Sequence, residues 1–299
     1  MGRNEVDHMM EQKIILITGA TGGIGKQTAL SLAKMGATVV ITGRSLASGE
    51  AAVAEIKHAS GNPKVDLLLG DLTSMKSIRA LVEQFSARYQ RLDVLINNAG
   101  TAAPSRMLTE DGVETNFAVN VLAPYLLTTL LMDRLNASPS ARVITLMGGE
   151  TPSVLRLDNL QGERSFDGLN SYSQSKLAMM ALMVEYAARA QGGKVTINVC
   201  YPGQASTNMT RSVTPEMLPA PMRLVFPLFK LLTRFDNGVS AEKASRSSVY
   251  LAASPEVEGV NGKYFDTKSR PTEWPKTILD PKARQRVWET AEAIAKQAY

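Results

Sequence analysis

Residues Lys13 to Met35 place three patterns in an order that few folds accommodate. Lys13-Ile14-Ile15-Leu16-Ile17-Thr18 is a short apolar run rich in β-branched residues. Gly19-Ala20-Thr21-Gly22-Gly23-Ile24-Gly25 follows at once, and Thr28, Leu30, Leu32, Ala33 and Met35 then recur at helical spacing. This reads as strand, glycine turn, helix. The glycines permit a tight turn and close backbone approach, and the helix start offers unpaired N–H groups and a positive dipole end to a pyrophosphate. A glycine turn alone can be structural, but here both flanks supply the context that a nucleotide site requires.

The next strand, Ala37 to Thr42, runs into Gly43-Arg44-Ser45. An NAD-type site places an acidic residue at this strand end to meet the ribose 2′-hydroxyl, and no Asp or Glu stands there. Arg44, with Ser45 and Lys26 beside it, suits a 2′-phosphate instead, because a guanidinium makes bidentate phosphate contacts. NADP(H) is therefore expected in preference to NAD(H). Alternation then continues with helix Ser45 to Ser60, strand Lys64 to Gly70, helix Ser74 to Tyr89, strand Leu92 to Asn97, helix Asp111 to Asn136 and strand Ala141 to Met147. Such alternation predicts an α/β fold, a doubly wound parallel sheet of about seven strands with helices on both faces. Asp71-Leu72 and Asn97-Asn98-Ala99-Gly100 fall at carboxyl strand ends, where open α/β sheets bind ligands, although turn chemistry alone would also account for them.

With 299 residues the chain is long enough for a substantial core, and no linker divides it. Residues 10–299 are expected to form one domain. Met1 to Met9 are polar and patternless, and they read as a disordered or tag-like start. The balance of 33 Lys+Arg against 28 Asp+Glu is mild and scattered, which argues against nucleic acid as a partner. No apolar stretch reaches the roughly 18 residues of a membrane span, so a cytoplasmic protein is the expectation. A single cysteine, Cys200, excludes an internal disulfide. His8 and His58 have no second ligand type nearby, so no metal site is expected.

Ser171-Tyr172-Ser173-Gln174-Ser175-Lys176 opens the apolar-periodic run Leu177, Met180, Ala181 and Val184 and so reads as the first turns of a helix. Residues four apart share a helix face, so Tyr172 and Lys176 are neighbours there. An ammonium beside a phenol favours the phenolate, which makes the two an acid/base candidate.

From Thr18-Gly19-Ala20-Thr21-Gly22-Gly23-Ile24-Gly25 through Asn97-Asn98-Ala99-Gly100, Asn120, Tyr172-Ser173-Gln174-Ser175-Lys176 and Pro202-Gly203, the sequence resembles the short-chain dehydrogenase/reductase family, over roughly Lys13 to Asp266. Asn159-Leu160-Gln161-Gly162-Glu163 ahead of Tyr172 resembles the retinol-dehydrogenase-like branch, whose members often act on lipophilic carbonyls or alcohols. The resemblance implies a Rossmann-type fold and an NADP-dependent oxidoreductase. It implies Tyr172 as proton donor or acceptor, Lys176 lowering the tyrosine pKa and holding the nicotinamide ribose, and Asn120 positioning a water-linked proton relay. Asp71 would meet the adenine beside Leu72, and Asn98, Ala99 and Gly100 would line the cleft. Pro202, Gly203 and Thr207 would border the nicotinamide. A homodimer through the two long helices around Asn120 and Tyr172 is a further implication.

One position departs from the family pattern. Where the fifth strand usually ends in a serine that bonds the reacting oxygen, Thr145-Leu146-Met147-Gly148-Gly149 places Gly148. Losing such a donor can cost roughly 2.7 to 4 kcal/mol. Three readings follow. A hydroxyl from Thr151 or Ser153 substitutes, Thr145 being less suited because a regular strand turns it to the side of Met147. Alternatively the substrate fills a roomier and more apolar wall of Met147, Gly148 and Gly149, with Gln204 nearby. The third is that redox chemistry is lost or diverted, to elimination, isomerisation or a nucleotide-binding regulatory role. Retention of Tyr172, Lys176, Asn120 and the cofactor motifs favours an atypical substrate over a dead enzyme.

After a strand over Lys194 to Tyr201, residues 204–237 carry a dense apolar set broken by Pro219, Pro221 and Pro227, expected to cover the substrate as a lid. Ser240 to Ala253 reads as a helix, Gly262 to Phe265 as the final strand, and 271–299 as a helical extension with a helix from Pro281.

Overall fold

In the computed structural model, residues 10–148, 154–203, 214–217 and 240–297 are described. Seven parallel strands form one sheet: β1 (Ile14–Ile17), β2 (Thr38–Gly43), β3 (Val65–Leu69), β4 (Val94–Asn97), β5 (Ala141–Leu146), β6 (Val195–Cys200) and β7 (Tyr264–Phe265). The two-residue β8 (Pro271–Thr272) adds an antiparallel edge, so the final strand lies beyond the one the sequence pointed to. Strand order is β3-β2-β1-β4-β5-β6-β7-β8, with the direction of winding reversing between β1 and β4. That reversal is the switch point at which doubly wound sheets open a ligand crevice.

Between the strands run α1 (Gly23–Lys34), α2 (Leu46–Ser60), α3 (Met75–Arg88), α4 (Thr115–Phe117), α5 (Ala123–Leu130), α6 (Met132–Asn136), α7 (Gly168–Arg189), α8 (Ala241–Ala253), α9 (Lys276–Leu279) and α10 (Pro281–Gln297). Caps fix several starts. Ser45 and Ser74 accept from the N–H groups of Ser48 and Ser77, and Ser240 accepts from that of Lys243. The long helix expected over Asp111 to Asn136 begins only at Thr115, is interrupted by a π-helical turn at Ala118–Leu122, and breaks at Leu131. Gly112 takes a left-handed φ of 72° in the turn before it, and Glu114 caps the new start by accepting from the N–H groups of Asn116 and Phe117.

Alternation within each strand sorts the core into two layers. Leu16, Val40, Leu95 and Val143 face one side with α3, α5, α7 and α10. Ile15, Ile17, Val39, Ile41, Val94, Ile96 and Ile144 face the other with α1, α2 and α8. Cys200 belongs to this second layer, fully buried, and burial pushes its thiol up to about 12. Helix α10 lays Val287, Trp288, Ala291 and Ala295 into the first layer. Trp288 meets Tyr125 and Tyr186 edge-on at 5.2 and 5.0 Å, with Arg189 4.0 Å above its ring. The C-terminal helix thus covers part of α5 and α7, surface that a dimer through these helices would use. Among the described residues no helix is long and apolar enough to cross a membrane.

Candidate active site at the carboxyl edge of the sheet

Every described residue of the expected site lies on one edge. Gly19 follows β1, Arg44 follows β2, Asp71 follows β3, Asn98 follows β4, Gly148 follows β5, and Pro202-Gly203 follow β6. A parallel sheet enforces this, because each strand ends on the same side and each loop must leave from there.

The glycine turn is held by β4. Thr18 Oγ1 accepts from the N–H groups of Asn98 and Ala99 at 3.1 Å each, and Asn98 Nδ2 donates to the carbonyls of Thr18 and Gly19 at 2.8 and 3.1 Å. Gly19 adopts φ 63°, and a Cβ on Gly25 would meet Asn98 Nδ2 at 2.4 Å and the Gly19 carbonyl oxygen at 2.8 Å. Gly22 differs, since a Cβ there would meet nothing within 4 Å. As N-cap of α1 it offers no side-chain hydrogen bond, and the first turn holds no acidic residue, so the helix start presents its N–H groups to an anion. The turn therefore fits a dinucleotide pyrophosphate.

Arg44 is exposed beside this turn. Ser45 is partly committed to capping α2, and Lys26 is committed to Glu55, with both carboxylate oxygens within 2.9 Å of its Nζ. Of the three groups expected around a 2′-phosphate, Arg44 is the one with its charge open. Asp71 Oδ1 accepts from the N–H and hydroxyl of Thr73, while Leu72 is buried. Thr21 packs its methyl under Gly43, where a Cβ would lie 2.5 Å away.

At the reacting end, α7 begins at Gly168, one turn earlier than the motif alone indicated. Tyr172 and Lys176 are 5% and 4% exposed, so both side chains are largely withdrawn from water. The Tyr172 hydroxyl rests over Gly148, where a Cβ would lie 2.4 Å from Oη and 3.9 Å from Lys176 Cε. Lys176 Nζ donates to the Leu146 carbonyl at 3.0 Å, and a Cβ on Gly100 would lie 3.3 Å from both that nitrogen and Asn120 Oδ1. Tyr172, Lys176, Asn120, Gly100 and Gly148 thus converge. Burial, aided by neighbouring Tyr201, raises the Tyr172 pKa well above the ordinary tyrosine value. Burial likewise lowers Lys176 to about 8. Desolvation thus outweighs the ammonium's expected pull on the phenol.

Asn120 sits inside the π-helical turn, a distortion frequent at functional sites. Its Oδ1 accepts from the Thr101 N–H, and its Nδ2 donates to the Thr101 carbonyl and to Ser175 Oγ, which in turn donates to the Tyr172 carbonyl. Its side chain therefore ties the loop after β4 to the tyrosine helix. Thr145 is 1% exposed inside the sheet and accepts from Asn97 Nδ2 at 3.3 Å, which places its hydroxyl beside β4. Met147 is 2% exposed and packs in the first core layer. Gly149, Thr151, Ser153, Gln204 and Thr207 lie outside the described residues, as does most of the expected lid at 204–237. The described piece, Pro215–Met217, is a 3₁₀ turn against the start of α7, with Met217 Cα 2.6 Å from a Cβ built on Gly168.

Two glutamines were missed by sequence reasoning. Gln174 Nε2 donates to the Val154 carbonyl and its Oε1 accepts from the Arg156 N–H, both at 2.9 Å, clasping the loop that returns from β5. Gln161 Oε1 accepts from the Glu114 N–H at 3.0 Å, pinning the same loop to the start of α4. Both stand inside motifs quoted above, but a side chain that pairs with backbone leaves no periodic signal. No group of His, Cys, Asp and Glu among the described residues could hold a metal ion.

Comparison with known proteins agrees with this geometry. The short chain dehydrogenase family model matches residues 13–218. Human retinol dehydrogenase 13 is 36% identical over 297 residues, covering 96% of this chain and 86% of that one. Human polyprenol dehydrogenase is 34% identical, covering 92% and 83%. A protein of Beutenbergia cavernae assigned as an NAD(P)-dependent gluconate 5-dehydrogenase and solved with NADP bound is 25% identical, with a TM-score of 0.64 over 85% of this chain and 94% of that one. With the sheet order, the glycine turn and the family match in agreement, the chain belongs to the short chain dehydrogenase/reductase family.

Proposed function

We propose that this chain is an NADP(H)-dependent oxidoreductase acting on a lipophilic carbonyl or alcohol, with Tyr172, Lys176 and Asn120 as its working residues. The observation that carries the reading is the convergence of the Tyr172 hydroxyl and the Lys176 side chain beside Gly148, at the carboxyl end of β5. The open helix start at Gly22 and Gly23, flanked by Ile24, fits the pyrophosphate. Exposed Arg44, with no acidic residue at the end of β2, supports the 2′-phosphate and hence NADP(H). Names of the relatives, retinol and polyprenol dehydrogenases, support a long apolar alcohol or its aldehyde as the substrate class.

When bound, the nicotinamide supplies hydride in reduction and takes it up in oxidation. The protein's part is the proton. Tyr172, whose pKa is raised by burial, holds its proton at neutral pH and gives it to the carbonyl oxygen as that oxygen gains charge. The tyrosinate left behind is stabilised by Lys176, which at about 8 still carries its proton at pH 7. The Leu146 carbonyl fixes the lysine, and Asn120, through Thr101 and Ser175, ties the loop after β4 to α7. In alcohol oxidation the same proton moves back to Tyr172.

NADPH consumption with retinal and polyprenal-type aldehydes tests the reading. Wild-type turnover is expected, with Tyr172→Phe slower by about 100- to 10,000-fold at unchanged NADPH affinity. Tight NADPH binding without turnover of any aldehyde or ketone would sink the reading in favour of a non-redox or regulatory role.

A further inference from the structure

Gly148 has no positive φ, unlike Gly19 at 63° or Gly203 at 85°, so its backbone does not require glycine. The space beside it does. A Cβ at 148 would stand 2.4 Å from Tyr172 Oη and 3.6 Å from Cζ, and real Cβ contacts essentially never fall below 3.0 Å. The tyrosine is 5% exposed on a helix whose Ser173 and Ser175 are also buried, so a Cβ at 148 would have to shift the tyrosine hydroxyl from its place beside packed neighbours.

We infer that Gly148 is a positioning and specificity-determining residue: the Tyr172 hydroxyl is seated in the space that a side chain at 148 would occupy. A serine there would displace the tyrosine instead of completing a conventional site. The end of β5 then presents bare backbone to the reacting oxygen, and Tyr172 is its hydroxyl partner on that side. This rests on the proposed carbonyl/alcohol chemistry for its catalytic meaning, but its structural core stands on the steric relation alone.

The test separates the two. A double-mutant cycle combines Gly148→Ala with Tyr172→Phe in the full chain without cofactor, read as the denaturant midpoint of unfolding. Gly148→Ala is expected to lower the midpoint clearly in the wild-type background and far less in the Tyr172→Phe background, since the phenylalanine lacks the colliding oxygen. Failure to fold in the first background with folding in the second supports the inference equally. An equal loss in both backgrounds, or no loss in either, overturns it. With the aldehyde substrate, Gly148→Ser is expected to lower kcat at least tenfold while NADPH affinity stays within twofold. A serine variant faster than wild type overturns the inference. A wild type inert toward every carbonyl sinks the proposed chemistry and leaves the unfolding cycle readable.

Discussion

Glycines crowd both ends of the crevice, but for opposite reasons. At the turn after β1 the constraint comes from backbone: Gly19 needs a left-handed φ, and Gly25 approaches the Gly19 carbonyl and the Asn98 amide too closely for a side chain. Beside α7 the constraint comes from functional side chains: Gly148 makes room for the Tyr172 hydroxyl and Gly100 for Lys176 and Asn120. The first kind shapes a surface open to a ligand, since Gly22 faces empty space. The second packs against the polar ends of Tyr172, Lys176 and Asn120. A dinucleotide site is thus assembled by chain geometry, and the reacting site by volume and desolvation.

This contrast can be broken by experiment, and the largest effect is expected at the reacting end. Lys176 is lowered from 10.5 to about 8 by burial. Below pH 8 both folded and unfolded chains carry the ammonium, and burial weighs fully against the fold. Between about 8 and 10.5 the native state sheds its proton first, so stability climbs with pH, by up to about 3 kcal/mol over the whole interval. Burial of the Cys200 thiol acts the other way, because the unfolded thiol ionises first and stability falls as pH passes about 9. Urea midpoints between pH 8 and 9.5, below the range where unfolded tyrosines ionise, are therefore expected to fall in Lys176→Met and to climb in the wild type relative to it. Parallel profiles for the two would mean the amine is solvated and the reacting end is not closed.

At the cofactor end the expectation is smaller. Gly25→Ala, pressed against backbone, should destabilise by about 1 to 3 kcal/mol. Gly22→Ala, with nothing within 4 Å, should unfold within about 0.5 kcal/mol of wild type. Thermal melts of both variants without cofactor check the pair, and equal melting temperatures would erase the distinction between the two positions. The effect on folding is expected to be small at Arg44, which is exposed, so its contribution is read in binding instead. Arg44→Ala should weaken NADPH binding about 10- to 100-fold, the value of one or two charge-assisted hydrogen bonds, and leave NADH affinity unchanged. Fluorescence titration of both nucleotides measures the ratio, and an unchanged ratio would remove Arg44 from the 2′-phosphate site.

Much of the fold is legible in the chain because its signals are local. Ile14 to Ile17, the turn through Gly25, and the caps Ser45, Ser74 and Ser240 act within a few residues of themselves, and the elements they predict are present. The helix expected over Asp111 to Asn136 was misread because its apolar pattern continues unbroken. What divides it is the π-helical turn at Ala118–Leu122, together with the links from Asn120 to Thr101 and Ser175. Those partners are 19 and 55 residues away, and no window along the sequence contains both. Gln161 and Gln174 escaped notice for the same reason, since each pairs with backbone distant in the chain.

The sequence alone therefore determines the alternating elements, the open glycine turn, the absence of an acid after β2 and the identity of the residue at 148. These follow from periodicity, backbone freedom and residue chemistry. Only the tertiary structure decides that Lys26 is taken by Glu55, that Thr145 bonds Asn97, and that the place of a side chain at 148 is filled by the tyrosine hydroxyl. Each is a matter of which distant groups come to share one small volume. That is settled by how α7 and its neighbouring loops pack on the carboxyl edge of the sheet.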